Sequence, residues 1–122
     1  MFEFPKKQKL CNETVIKEMF FSGKSFTSPA IRLVWKEDNN EVPIKSIIVV
    51  PKKKIRLATK RNIIRRRMKE AYRLNRIELE NTLKANKLQL NIAIIYQREQ
   101  ILSYKVVDDE IKLMLERLTK EI

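Results

Sequence analysis

The sequence predicts an α+β fold in which helices pack on a small mixed sheet. Apolar residues recur at helical spacing in three stretches, and three short stretches between them are rich in β-branched residues. The predicted order is α-β-β-α-β-α, with an extra short strand near Phe26. This pattern favours an α+β sandwich, and 122 residues are enough for one domain with its own core, residues 1–122.

The first half of the chain predicts one helix and two strands. Asn12 is a suitable N-cap for a helix through about Ser22, and Gly23 can end it. Residues 30–36 (AIRLVWK) alternate between apolar and polar side chains, as a half-buried strand does. Residues 44–50 (IKSIIVV) are almost continuously β-branched, which favours a central strand over an edge strand. We expect the two strands to pair as an antiparallel hairpin.

The second half predicts two helices with a third strand between them. Thr59 can cap a long helix to about Ala85, whose apolar face contains Ile64, Met68, Ala71, Tyr72, Leu79 and Leu83. Residues 90–96 (LNIAIIY) predict a buried strand. A closing helix is expected after Ser103 or Asp108, and its apolar face contains Val107, Ile111, Met114, Leu115 and Leu118.

The composition excludes several kinds of site. The chain has no His and a single Cys, Cys11, so it offers neither an internal disulfide nor a Cys/His zinc cluster. Without histidine, protein-borne hydrolysis at neutral pH lacks its commonest general base. No apolar run approaches the roughly 18 residues of a membrane span, and the N-terminal residues lack the apolar core of a secretory signal. We therefore expect a cytoplasmic protein that binds no metal or cofactor by itself.

Nearly all of the net charge of +12 lies in one segment of the chain. Residues 51–76 contain twelve Lys or Arg and one acid, Glu70, and therefore carry +11, whereas the remaining residues carry +1. A general requirement for solubility does not produce such a partition.

This positive segment predicts a partner with a phosphate backbone. Three consecutive lysines precede the long helix, and one sector of that helix gathers Arg65, Arg66, Lys69, Arg73 and Arg76. Several cations on one surface suit a polyanion, because binding comes largely from the release of condensed counterions. Arg61 and Asn62, near the start of the helix, would add side-chain donors beside free backbone N–H groups, a favourable anion site. The simpler alternative is a basic face exposed to solvent.

Two residues of the segment are expected to act within the protein. Arg67 lies outside the cationic sector and is predicted to pair internally or to support a loop. Glu70 can form an ion pair with Arg66 or with Arg73, at spacings of i−4 and i+3.

Aromatic side chains near the first helix could stack on unpaired bases. Four of them lie close in sequence, namely Phe20, Phe21, Phe26 and Trp35. Core packing is the commoner role for each of them singly. The functional alternative is a cleft between the first helix and the sheet, in which one or two of these rings are partly exposed.

Residues 47–73 (IIVVPKKKIRLATKRNIIRRRMKEAYR) resemble the signature of the bacterial ribonuclease P protein subunit. A strand, a lysine pair, a loop and a helix rich in Arg and Asn follow in that order. The similarity extends to residues 10–26, to residues 91–97 and to the closing helix. The motif positions are Lys52, Lys53, Arg61, Asn62, Arg65, Arg66, Lys69 and Glu70. The sequence departs from the family pattern at Ile16, Pro51 and Ile63.

The resemblance implies a fold like that of the second domain of a ribosomal protein, with a left-handed β-α-β crossover, although such crossovers are almost always right-handed. It also implies a protein subunit that binds the catalytic RNA of ribonuclease P and the 5′ leader of precursor tRNA. In that family the RNA and its Mg²⁺ ions cleave the phosphodiester, and the protein assists this endonucleolytic removal of the leader. No catalytic residue is then expected on the protein.

Charge and resemblance together predict RNA-binding residues on one surface, namely Lys52, Lys53, Lys54, Arg56, Lys60, Arg61, Asn62, Arg65, Arg66, Lys69 and Arg73. They also predict a leader-binding cleft with Phe20 and Trp35, and no binding to DNA or membranes. The alternative is a non-catalytic ribosomal or general RNA- or DNA-binding protein that uses the same basic helix. A module for membrane surfaces or acidic partners is disfavoured, because the basic helix lacks Trp or Phe on an exposed apolar face.

Overall fold

The structure is a computed structural model that describes residues 13–39 and 41–122. The elements follow in the order α1 (Glu13–Ser22), β1 (Lys24–Thr27), β2 (Ile31–Glu37), β3 (Ile44–Val49), α2 (Ala58–Asn75), α3 (Ile77–Ala85), β4 (Leu90–Tyr96) and α4 (Tyr104–Glu121). The predicted α+β class and the extra strand at Phe26 are confirmed. Cys11 and the predicted N-cap Asn12 lie outside the described residues. No helix within the two described ranges is long and apolar enough to span a membrane.

The four strands form one mixed sheet in the order β1-β2-β4-β3. β2 pairs antiparallel with β1 and β4, and β3 pairs parallel with β4. The predicted hairpin of β2 and β3 is therefore wrong, and β3 is an edge strand. Its burial explains why the β-branched run misled: Ile44, Ser46 and Ile48 are buried, whereas the residues between them are only half-buried. A β-branched run indicates a strand with a covered face, and its place in the sheet depends on distant pairing.

The main core lies between one face of the sheet and helices α2, α3 and α4. The apolar residues predicted for these helices are all buried there, namely Ile64, Met68, Ala71, Tyr72, Leu79, Leu83, Val107, Ile111, Met114, Leu115 and Leu118. A second, smaller cluster lies on the opposite face, where Met19 of α1 packs with Val34 and Ala93. The sheet therefore has helices on both faces, and in the part of the chain that the structure describes α1 is the helix on the second face.

The predicted long helix is divided into α2 and α3 at Arg76, which is the C-cap of the first and the N-cap of the second. The side-chain amide of Asn75 donates to the backbone oxygen of Ala71 at 2.7 Å and to Asp108 Oδ1 at 2.8 Å. It thereby competes for a carbonyl of the last turn of α2 and ties the junction to α4. The apolar period continues through the break, which is why the sequence pattern did not reveal it.

Two other helix ends agree with the sequence. Ser103 caps α4, and its hydroxyl accepts a hydrogen bond from the Val106 N–H at 3.4 Å. Gly23 follows α1, and its N–H donates to the Met19 oxygen at 2.8 Å. A Cβ at Gly23 would lie 2.9 Å from the backbone oxygen of Trp35 and closer still to that of Met19. The chain can thus turn from α1 into β1 only with glycine at this position.

Candidate nucleic-acid interface

The three consecutive lysines lie on a compact turn in the basic connection, residues 51–57, which joins β3 to α2. The Pro51 oxygen accepts hydrogen bonds from the N–H groups of Lys54 at 3.0 Å and Ile55 at 3.1 Å. Ile55 is buried in the main core and anchors the connection. Its basic side chains are exposed, namely Lys52, Lys53, Lys54 and Arg56. The basic connection therefore presents four cations to solvent while the buried side chain of Ile55 holds it against the core.

The start of α2 concentrates further positive charge. Its N-cap is Leu57, which has no polar side chain, so the predicted cap Thr59 does not serve this role. The first turn contains no acidic residue, whereas Lys60 and Arg61 lie in it. The helix macrodipole adds partial positive charge at the same end. An anion at this end of α2 would be attracted by the side chains and by the backbone together.

The cationic sector of α2 contains one internal ion pair. Arg66 is exposed, and the Arg65 guanidinium donates to Asn62 Oδ1 at 3.2 Å. Glu70 pairs with Arg73, so the structure decides between the two predicted partners. The hydrogen bond from Arg73 lowers the pKa of the Glu70 carboxyl below its ordinary value. At neutral pH the Glu70 carboxylate is therefore charged and paired with Arg73.

Most cations of the basic segment have no carboxylate partner in residues 13–39 and 41–122. The ion pairs of these ranges join Glu70 to Arg73 and Glu80 to both Arg76 and Lys84. Ten cations remain without a carboxylate partner among the described residues, namely Lys52, Lys53, Lys54, Arg56, Lys60, Arg61, Arg65, Arg66, Arg67 and Lys69. No carboxylate of the described residues neutralises their charge.

Two arginines of α2 donate to backbone carbonyls of neighbouring loops. Arg67 Nη1 donates to the Leu102 oxygen at 2.6 Å, which confirms the predicted support of a loop. Arg61 Nη1 donates to the oxygens of Ile55 at 3.0 Å and Arg56 at 2.7 Å. Arg61 is also one of the predicted RNA-binding residues, and these two bonds place its guanidinium beside the basic connection.

Phe20 and Trp35 lie on opposite faces of the sheet. Trp35 is 6% exposed and packs against Phe26 in the main core, with ring centroids 4.5 Å apart. Phe20 is 39% exposed on α1, which covers the other face. Successive residues of a strand face opposite sides, and on β2 it is Val34 that faces α1. The two rings therefore do not line one cleft, although the sequence pairs them there.

The sheet face beside α1 carries three basic side chains that the sequence did not single out as a site, Arg32, Lys36 and Lys45. All three are half-buried, and Lys36 and Lys45 flank Asn91 as its register partners on β2 and β3. Lys36 Nζ donates to Ser22 Oγ at 2.9 Å, at the end of α1. We call this face, with its three cations and α1, the sheet cleft. The alternation of β2, which turns Arg32 and Lys36 away from the core, is the signal that could have revealed it.

Comparison with known proteins assigns the chain to a family. The sequence model of the Ribonuclease P family matches residues 4–119. The chain belongs to the ribonuclease P protein family. It is 28% identical to the ribonuclease P protein component of Porphyromonas gingivalis strain W83 over 123 residues, which cover 99% of this chain and 90% of that protein. It is 27% identical to the corresponding protein of Chlorobium phaeobacteroides, over 93% of this chain and 86% of that one.

Solved structures of ribonuclease P proteins share the fold. The RNase P protein of Staphylococcus aureus gives a TM-score of 0.68 at 17% identity, covering 93% of this chain and 96% of that one. The RNase P protein of Thermotoga maritima also gives 0.68, at 20% identity and with the same coverage.

The three departures from the ribonuclease P family pattern fit the structure. Ile16 packs in the cluster between α1 and the sheet. Pro51 provides the carbonyl that holds the lysine turn, and Ile63 is half-buried on α2. At Ile63 the family pattern usually has an arginine, so the cationic sector of α2 has one cation fewer there, whereas Lys60, Arg61, Arg65 and Arg66 flank this position.

Proposed function

We propose that this chain is the RNA-binding subunit of a ribonuclease P ribonucleoprotein. It binds the catalytic RNA through the basic connection and α2. The observation that supports this proposal most strongly is that ten cations of residues 52–69 have no carboxylate partner among the described residues. Such a surface binds a sugar-phosphate backbone because each phosphate that it neutralises releases condensed counterions.

The sheet cleft binds the 5′ leader of precursor tRNA in this proposal. Arg32, Lys36 and Lys45 supply charge for the leader phosphates, and Phe20 on α1 supplies a partly exposed ring. Proteins bind single-stranded RNA through this combination of a positively charged groove and aromatic stacking. Trp35 takes no part, because it is buried in the core.

The cleavage chemistry belongs to the RNA partner in this proposal. Mg²⁺ prefers carboxylate and phosphate oxygens, and the one carboxylate of the basic segment, Glu70, is held by Arg73. Among the described residues, no three His, Cys, Asp or Glu side chains come together as a metal site. We therefore propose that the Mg²⁺ ions are bound mainly by the RNA. The protein binds, orients and neutralises phosphates, and the proposed location is the cytoplasm.

Binding measurements with three RNAs test the proposal. The probes are a ribonuclease P RNA transcript, a precursor tRNA with its leader, and the mature tRNA without it. We expect the protein to bind the transcript, and the resulting complex to bind the leader-bearing substrate about ten-fold or more tighter than mature tRNA, as stacking of one or two bases allows. A general RNA-binding or ribosomal protein would bind structured RNAs alike. Equal affinity with and without the leader would therefore contradict the proposal.

A further inference from the structure

Arg61 occupies an unexpected position for a cation. It lies at the start of α2 beside Lys60, and its guanidinium reaches back to a loop that itself carries four exposed cations. Like charges in such proximity repel each other. Arg61 nevertheless donates from Nη1 to two successive carbonyl oxygens, those of Ile55 at 3.0 Å and Arg56 at 2.7 Å. Hydrogen bonds from a charged donor are among the stronger ones, so they can hold this arrangement.

The two bonds complete a set that engages the carbonyls of the basic connection inside the protein. The Pro51 oxygen accepts from the N–H groups of Lys54 and Ile55, and the Leu57 oxygen accepts from the Arg61 N–H at 3.0 Å. Carbonyl oxygens carry partial negative charge and would repel a phosphate. When the oxygens of residues 51, 55, 56 and 57 are engaged, the lysine side chains of the turn meet an approaching anion without that competition.

We propose that Arg61 is a positioning residue, which fixes the basic connection in the shape that presents Lys52, Lys53 and Lys54 to the phosphate backbone of the RNA. The inference rests on the proposed function for the identity of the ligand. In this inference Arg61 affects RNA binding indirectly, because it holds the basic connection in place. A residue in direct contact with the RNA would instead act through its own charge. A preformed loop binds more tightly because less ordering is needed on association.

The test is a double-mutant cycle with a matched control. The variants are Arg61→Gln, the triple variant Lys52→Ala/Lys53→Ala/Lys54→Ala, and the fourfold combination. Arg66→Gln is the control, because Arg66 is an exposed arginine of the same helix with no hydrogen bond or ion pair to the described residues. Affinity for a ribonuclease P RNA transcript is measured over a range of salt concentrations.

We expect Arg66→Gln to lower the salt slope of binding by about one, as when one phosphate is no longer neutralised. Arg61→Gln should lower the slope by about two or three, as the triple variant does, because the lysines lose their shared geometry. The fourfold variant should bind as the triple variant does. If the reductions in affinity from Arg61→Gln and from the triple variant instead multiply in the fourfold variant, the residues act independently and the inference is overturned.

A second readout needs no RNA. Hydrogen exchange of the Lys54 and Ile55 amides reports on the turn, since both donate to the Pro51 oxygen. Arg61→Gln should speed their exchange several-fold, and Arg66→Gln should leave it unchanged. Unchanged exchange in Arg61→Gln would overturn the inference. If exchange responds but no variant alters RNA binding, the proposed function fails.

A variant that keeps the charge separates positioning from simple attraction and provides a test if Arg61→Gln does not fold. Arg61→Lys retains the cation but has a shorter reach and lacks the planar guanidinium, so it should still speed exchange and weaken binding. Binding and exchange equal to those of the unmodified protein would show that charge alone suffices, against the inference.

Discussion

Glu70 and Arg73 form a two-point ion pair on α2, in which Arg73 Nε donates to Glu70 Oε2 at 3.1 Å and Arg73 Nη2 donates to Glu70 Oε1. The only acid of residues 51–76 is thereby committed to a cation in the second half of α2. Among the described residues, the cations of residues 51–76 without a carboxylate partner consequently lie in the basic connection and in α2 as far as Lys69. Because the ion pair neutralises charge near the C-terminal end of α2, the net positive charge of this surface is greater near the N-terminal end.

Removal of the Glu70 charge should tighten RNA binding. Glu70→Gln frees Arg73 for a phosphate and removes one negative charge from the surface, so the salt slope of binding to a ribonuclease P RNA transcript should steepen by up to about one. The matched control is Glu78→Gln, an exposed glutamate on α3, which should change the slope little. Weaker binding by Glu70→Gln would mean that the ion pair orders the surface instead of masking it.

The cationic sector of α2 should bind several phosphates. Replacement of Arg65, Arg66 and Lys69 together by alanine should lower the salt slope by about one for each phosphate that the protein no longer neutralises, up to about three. The control removes three lysines that are exposed on α4, namely Lys105, Lys112 and Lys120. It changes net charge equally, so an identical reduction of the slope in both variants would indicate long-range attraction without specific phosphate binding.

Phe20 should contribute to leader recognition. Phe20 is 39% exposed and lies one helical turn from Ile16, which packs towards the sheet, so its ring borders the sheet cleft. Phe20→Ala should reduce the preference for leader-bearing substrate by about ten-fold, the effect expected for one stacked base. Phe21→Ala is the control, because Phe21 is 94% exposed on the adjacent position of α1. Equal effects of the two variants would contradict a cleft on the side of Phe20.

Tyr72 should destabilise the protein at alkaline pH. Burial raises the pKa of its hydroxyl from about 10 to about 12, because the anion is disfavoured in the core. Since the pKa is raised in the folded state, the stabilisation is complete below pH 10 and is lost as the pH rises towards 12. The decrease should amount to about 2 to 3 kcal/mol in the free energy of unfolding. Urea unfolding between pH 9 and 12 measures it, and Tyr72→Phe should remove this part of the pH dependence. An identical alkaline decrease in both proteins would assign it to other groups.

The sequence predicted the helices and the core well because these depend on local spacing. The apolar residues predicted for α2, α3 and α4 are buried, α4 begins after Ser103, and α1 ends before Gly23, as expected. The position of β3 at the sheet edge could not be predicted, because pairing with β4 is decided by contacts between residues 46 positions apart. The break at Arg76 was also hidden, since the apolar period continues through it and the hydrogen bond beside it joins Asn75 to Asp108 of a distant helix.

In the candidate site, too, some features could be predicted from the sequence and others could not. The partition of charge along the chain identified the segment in which ten of the twelve cations have no carboxylate partner among the described residues, because a count of charges needs no geometry. A count of charges cannot predict the direction in which an individual side chain points. Trp35 turns into the core through strand parity, and Arg61 turns to backbone carbonyls of the preceding loop. The alternation along β2 could have shown the direction of Trp35, whereas the direction of Arg61 depends on the folded backbone of the loop, which spacing along the sequence does not specify.

Cleavage of a precursor tRNA by ribonuclease P RNA, measured over a Mg²⁺ titration with and without this protein, tests the central claim most directly. Protein cations that neutralise RNA phosphates should take over part of the role of Mg²⁺ in reducing repulsion, so the protein should lower the Mg²⁺ concentration needed for cleavage at the 5′ end. The reduction should shrink for the variant that lacks Arg65, Arg66 and Lys69. A Mg²⁺ dependence that is unchanged by saturating protein would contradict the account.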